Sequence, residues 1–109
     1  MLRGDLYLVP KPNALDPKRQ RAYVVVGRQW AINSSLPSVI CAPVYTKRHG
    51  LATQVNVGVE EGLKHDSAIC CDELMSLPKF VLTRYLGRLG LQKMRELDTA
   101  LAAALELAK

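Results

Sequence analysis

The side chains best equipped for chemistry fall in two short stretches of the N-terminal half. One is Asp16-Pro17-Lys18-Arg19-Gln20-Arg21 and the other is Tyr45-Thr46-Lys47-Arg48-His49. Both set cations beside groups that donate or accept protons. Arg21 offers a planar fork that grips two oxygens of a phosphate at once. Lys47 and Arg48 suit phosphate contacts, and His49 is the nearby group that titrates around neutrality. Lys11, Lys18 and Arg19 add positive charge from the segment before Arg21. The ring of Tyr45 can stack on a base, and the hydroxyl of Thr46 stands next to it. Asp16 can orient Arg21 or accept a proton, although a carboxylate opening an Asp-Pro turn has a plainer structural use. Taken singly, each cation is equally well read as a solvated surface residue.

Charge distribution favours a polyanionic partner. The 109 residues carry a net charge of +5. Residues 1–50 hold eight Lys or Arg against two acids, a net +6, and residues 51–109 sum to −1. An excess confined to one half suits nucleic acid.

Composition narrows the remaining classes. A chain of 109 residues, 49% of them hydrophobic, is long enough for one core, and residues 1–109 are expected to form a single domain. Aromatic residues make up only 6%, so the core must be mostly Val, Leu, Ile and Ala. The three cysteines, Cys41, Cys70 and Cys71, lie in apolar runs without a CxxC pair. They are expected to be reduced core residues of a cytoplasmic protein. His49 and His65 are not at metal-ligand spacing, so no metal or cofactor is expected. No signal core and no apolar run long enough for a membrane span are present.

Most of the chain around these residues reads as short strands. Leu6–Val9, Ala22–Val26, Ser38–Val44, Thr53–Val57 and Ser67–Cys71 are β-branched or alternating runs bounded by Pro, Gly or polar residues. Pro43 inside the third run points to an edge or a bulge. Residues 10–20 and 28–37 read as connections, 46–50 as a basic turn and 60–66 as a polar segment holding a structural His65. Leu77–Val81 reads as a helical turn with Pro78 in its first position, and Leu82–Leu89 as the last strand. Beyond Gly90, Leu91, Met94, Leu97, Leu101, Leu105 and Ala108 recur at helical spacing. Many short strands followed by one helix predict a small β-barrel with a helix packed on it.

In order and spacing these pieces resemble the MazF/PemK toxins over nearly the whole chain. Arg3-Gly4-Asp5-Leu6-Tyr7 is similar to that family's opening. Arg21–Val26 is similar to its RPVLVI-like strand, with Ala22 in place of proline. Val39–Thr46 is similar to its VxVxPxT-like strand. His65–Cys71 and Leu86-Gly87-Arg88-Leu89 followed by the Met94 helix match later pieces. The resemblance implies a mostly β, SH3-like barrel with a C-terminal helix, and a homodimer. It also implies metal-independent cleavage of single-stranded RNA and silencing by an antitoxin whose disordered tail covers the groove.

Applied residue by residue, the resemblance makes Arg21 the catalytic arginine. Its pKa above about 12 makes it a poor base, so its first role is charge stabilisation. The family's threonine or serine falls, without gaps, on Tyr45, with Thr46 one place later. Either a bulge brings Thr46 into the site, which is the preferred reading, or the Tyr45 hydroxyl replaces it. Asp16 lies near where some members carry a glutamate implicated in catalysis. Lys11, Lys18, Arg19, Lys47, Arg48 and His49 are the expected RNA contacts, those of the 10–20 segment as a closing lid. Two other readings share the fold without this chemistry: a gyrase-inhibiting toxin of the CcdB type, and a non-catalytic RNA-binding module.

Overall fold

Val24, Val25 and Val26 belong to two different cores. Val24 and Val26 pack with Leu6, Ala42, Val44 and Leu97, while Val25 packs with Tyr7, Tyr23, Val39 and Cys41. Side chains alternate along a strand, so an unbroken apolar run requires a sheet covered on both faces. The computed structural model, which describes residues 1–10 and 19–107, meets that requirement by curling one sheet. Its strands are β1 (Asp5–Pro10), β2 (Gln20–Val25), β3 (Ser38–Tyr45), β4 (Gln54–Val57), β5 (Ser67–Cys70), β6 (Met75–Pro78) and β7 (Arg84–Arg88). Two helices cover it, α1 (Gln29–Asn33) and α2 (Leu91–Ala104).

All the strand pairs are antiparallel, in the order β4-β5-β3-β2-β1-β7, with β6 paired to β3. The mostly β barrel with a C-terminal helix is therefore the observed fold. β3 is the long strand that bends it. One edge of β3 pairs with β2, and the other pairs first with β6 and then with β5. On that second edge pairing stops at Cys41↔Met75 and resumes at Val44↔Ile69. Ile40 turns its carbonyl toward β2, so Pro43, three residues on, turns its nitrogen to the gap. A proline there removes no ladder hydrogen bond. The expected edge or bulge at Pro43 is thus a break between two partner strands.

Four expectations need correction. Leu77 and Pro78 lie on β6, a strand, and the helical turn begins only at Lys79 (Lys79–Val81). The connection 28–37 contains α1, too short to show a helical period. The last strand is Arg84–Arg88, shorter than Leu82–Leu89. In α2 the stripe is narrower than its periodicity implied. Leu97 and Ala100 are buried against β4 and the 71–73 turn, but Leu91 is 78% exposed. Ala108 lies outside the described residues.

One contact between backbones sets the shape of the barrel's open side. A Cβ on Gly87 in β7 would collide with the carbonyl of Glu61, and one on Gly62 with the carbonyl of Leu86. Gly62 also has φ +93°, a conformation that favours glycine. Removing both side chains lets the 58–65 segment lie directly against β7. Glu61 secures the segment from inside: its buried carboxylate accepts the Gly58 N–H at 2.7 Å. Gly87→Ala should therefore destabilise the fold by about 1–3 kcal/mol, the usual range for overpacking, and more if the backbone cannot shift. Urea denaturation checks this as a lowered midpoint at unchanged slope.

Candidate active groove

The pairing of β2 with β3 decides which side chains meet. Its register runs Val25↔Cys41, Val24↔Ala42, Tyr23↔Pro43. Continued by two residues, it sets Arg21 opposite Tyr45, and cross-strand neighbours leave the sheet on one face. The guanidinium carbon of Arg21 lies 4.1 Å from the centre of the Tyr45 ring. This is a cation–π contact. Arg21 Nη1 also donates to the carbonyl of Val44 at 3.4 Å. Beyond the ring, Tyr45 Oη donates to Glu73 Oε1 at 2.7 Å. That carboxylate, with partial burial, pushes the phenol up to about 12, against a smaller opposing pull from Arg21. Tyr45 therefore stays protonated through the neutral range, as a hydrogen-bond donor.

These residues stand in an open groove of about 1010 Å³. Its lining comes from the start of β2, the end of β3 with residues 46–51, the 62–67 segment, and the turn after β5. The glycine contact at Gly62 and Gly87 places the 62–67 segment. Leu8, Val44, Leu63 and Leu86 supply apolar surface, and Lys47, His49, Lys64 and His65 supply cationic or titratable groups.

The sequence candidates divide. Arg21, Tyr45, Thr46, Lys47 and His49 all line the groove. Thr46 enters without a bulge: pairing runs unshifted through Val44↔Ile69 and Tyr45↔Ala68, and the chain leaves the sheet at Thr46. A residue past a strand's end is free of the alternation that would send it to the opposite face. Tyr45, rather than Thr46, makes the contact with Arg21. Arg48 is elsewhere: its Nε donates to the Ser67 carbonyl at 3.0 Å and its Nη2 to the Val57 carbonyl at 2.9 Å. It clamps the paired ends of β4 and β5, with Asp66 3.8 Å away. Arg19 is exposed beside β2 and does not line the groove. Asp16, Lys11 and Lys18 lie outside the described residues.

Among the charged and histidine side chains of the lining, sequence reading missed four: Lys64, His65, Asp72 and Glu73. His65, expected to be structural, is exposed on the groove. The only trace of Asp72 and Glu73 was a pair of acids directly after the apolar Ile69-Cys70-Cys71 run. Cys70 also lines the groove and accepts a hydrogen bond from Gln54 at 3.5 Å. Burial raises its thiol pKa, and Cys41 and Cys71 are buried free thiols as well. Among the described residues no three His, Cys, Asp or Glu side chains gather as they would around a metal ion.

Fold and groove have counterparts in known proteins. Residues 2–105 match the family described as PemK-like, MazF-like toxins of type II toxin–antitoxin systems. The chain belongs to this family. The endoribonuclease MazF3 of Mycobacterium tuberculosis is 30% identical over 89 residues, covering 82% of this chain and 85% of the relative. The M. tuberculosis toxin MazF-mt6 superposes with a TM-score of 0.81 at 26% identity, covering 96% of this chain and 99% of that one. A mycobacterial endoribonuclease solved in complex with its cognate antitoxin superposes with a TM-score of 0.85 at 25% identity, covering 100% and 98%. The chain is thus a toxin-family barrel along almost its whole length.

Arg48 and Lys47 are adjacent in sequence but differ in use, and this is testable. Arg48→Ala should cost about 1.5–3 kcal/mol, as expected for losing charge-assisted hydrogen bonds. Lys47→Ala should change stability by less than about 0.5 kcal/mol but weaken binding of a polyanion such as heparin. Thermal melting beside salt elution from a heparin column checks both.

Proposed function

We propose that this chain is a cytoplasmic, metal-independent endoribonuclease that cuts single-stranded RNA through attack of the ribose 2′-OH. It would act as the toxin of a toxin–antitoxin pair. The observation that carries this reading is Arg21, fixed across the strand pair from Tyr45 and standing in an open groove with further cations. Attack of the 2′-oxygen builds extra negative charge on the phosphorane. A guanidinium that grips two of its oxygens binds that state better than the substrate. A gyrase inhibitor or a passive RNA binder has no need of such a constellation.

Two partners follow from the surface. The groove joins an apolar lining, Leu8, Leu63 and Leu86, to Lys47 and Lys64. That mixture suits an extended antitoxin tail carrying apolar and acidic side chains. Outside the groove lining, Trp30 is 67% and Phe80 79% exposed, and Leu36, Ile40 and Met75 are exposed apolar residues as well. Lys79, beside Phe80, ties this face together by donating to the carbonyls of Ala31 and Ser34. An exposed apolar surface of this kind favours pairing about a two-fold axis. Light scattering should give roughly twice the chain mass of 12.1 kDa; a monomer that still cuts RNA would remove the dimer from the proposal.

Incubation with RNA tests the activity. Cleavage should leave a 2′,3′-cyclic phosphate and a 5′-OH, persist in EDTA, and spare DNA, which lacks the 2′-OH. Arg21→Ala should slow single-turnover cleavage by about 10²–10³ and change RNA affinity far less, since other cations hold phosphate. Arg21→Lys should recover only part of the loss, because a point charge lacks the bidentate fork. A folded Arg21→Ala protein cutting within about threefold of wild type, a range too small for a lost transition-state contact, would refute the assignment.

A further inference from the structure

A surface that binds a polyanion has little use for carboxylates, yet two of them, Asp72 and Glu73, line this groove. Asp72 has a structural partner: its Oδ2 accepts the Thr53 hydroxyl at 2.6 Å, tying the turn after β5 to the start of β4. Glu73 is engaged differently. Its Oε1 takes the Tyr45 hydroxyl at 2.7 Å, and the Tyr45 ring lies under Arg21 at 4.1 Å. Three groups from three elements thus form one chain: a cation that can hold phosphate, a phenol, and a carboxylate behind it.

We infer that Glu73 is the proton acceptor of the cleavage reaction, receiving the ribose 2′-OH proton through the hydroxyl of Tyr45. The inference rests on the ribonuclease reading above. Arg21 cannot serve as the base, since its pKa exceeds about 12. Tyr45 is held protonated by its hydrogen bond to Glu73, so it can take up a further proton only by passing its own to that carboxylate. Lys47 and Lys64 are cations. His49 and His65 stand on other segments of the groove, outside the Arg21–Tyr45–Glu73 chain.

The step balances within the groups named. The 2′-oxygen forms a bond to phosphorus while its proton moves to Tyr45 Oη and the original Tyr45 proton moves to Glu73 Oε1. The P–O5′ bond breaks, and the 5′ oxygen takes a proton from an imidazolium or from water. The products are a 2′,3′-cyclic phosphate, a 5′-OH and a protonated Glu73 that releases its proton to solvent. The charged and titratable groups around the pair are Arg21 from β2, Cys70 from β5 and Asp72 from the same turn.

A strut and a base differ in one respect. Glu73→Gln keeps an oxygen to accept the Tyr45 hydroxyl but cannot take up a proton. Single-turnover cleavage of an RNA oligonucleotide carrying a mapped cleavage site should be measured against pH for wild type, Glu73→Gln, Glu73→Ala and Tyr45→Phe. Glu73→Gln should lose about 10²–10⁴ in rate, the usual worth of a positioned acid or base. It should lose the acid-side limb of the pH profile and bind RNA as tightly as wild type or more so. Formate should restore Glu73→Ala in proportion to its concentration, and Tyr45→Phe should also be slowed. Circular dichroism establishes folding; formate rescue answers the question if the glutamine variant misfolds. A Glu73→Gln protein within about threefold of wild type, well short of a lost base, or one that keeps the acid limb, overturns the assignment. So does a folded Glu73→Ala protein that formate leaves unchanged. A wild type that leaves RNA whole, or leaves no cyclic phosphate, defeats the ribonuclease reading itself, whereas a wild type that forms it beside indifferent Glu73 variants defeats only this role.

Discussion

The register between β2 and β3 is the constraint on which the groove depends. Val24↔Ala42 fixes it within the core, and every side chain farther along the two strands inherits its partner. A slip of one residue would turn Arg21 away from Tyr45 and turn Val24 out of the core it shares with Leu6 and Ala42. Packing energy and chemical geometry therefore select the same register. The apolar pattern that stabilises the sheet also aligns the cation with the phenol.

The groove is built from opposing electrostatic needs. A surface for a polyanion gathers Arg21, Lys47 and Lys64, which repel one another and whose side chains must be held in place. Tyr45 supplies an aromatic face for Arg21, and Glu73 anchors the phenol from behind. Arg48 shows the contrasting outcome. Its donors are spent on the carbonyls of Val57 and Ser67, where it clamps the paired ends of two short strands. One basic stretch, Lys47-Arg48-His49, thus serves both the groove and the frame.

The other side of the groove depends on missing side chains. Gly62 and Gly87 allow two backbones to touch, and the touching segment brings Lys64 and His65 into the lining. Leu86-Gly87-Arg88-Leu89 was visible in the sequence as a family-like piece, but its partner Gly62 was not. Nothing in a single chain of letters says that two glycines 25 positions apart face each other.

Local and periodic features were legible from neighbouring residues alone. Short apolar runs yielded six of the seven strands, β7 with bounds drawn too long, helical spacing yielded α2, and the clustering of cations marked Arg21, Lys47 and the 45–49 stretch. These are readable because strand and helix periods are properties of neighbouring residues. The strand character of β6 emerges only on folding, since four residues ending in proline carry no pattern until β3 pairs with them. Folding likewise separated Arg48 from Lys47 and brought Tyr45 to Arg21. Glu73 is the clearest case: it lies 28 residues beyond Tyr45, and what joins them is the return of β5 alongside β3. A contact of that kind depends on chain topology, and topology is settled by the whole set of strand pairings together.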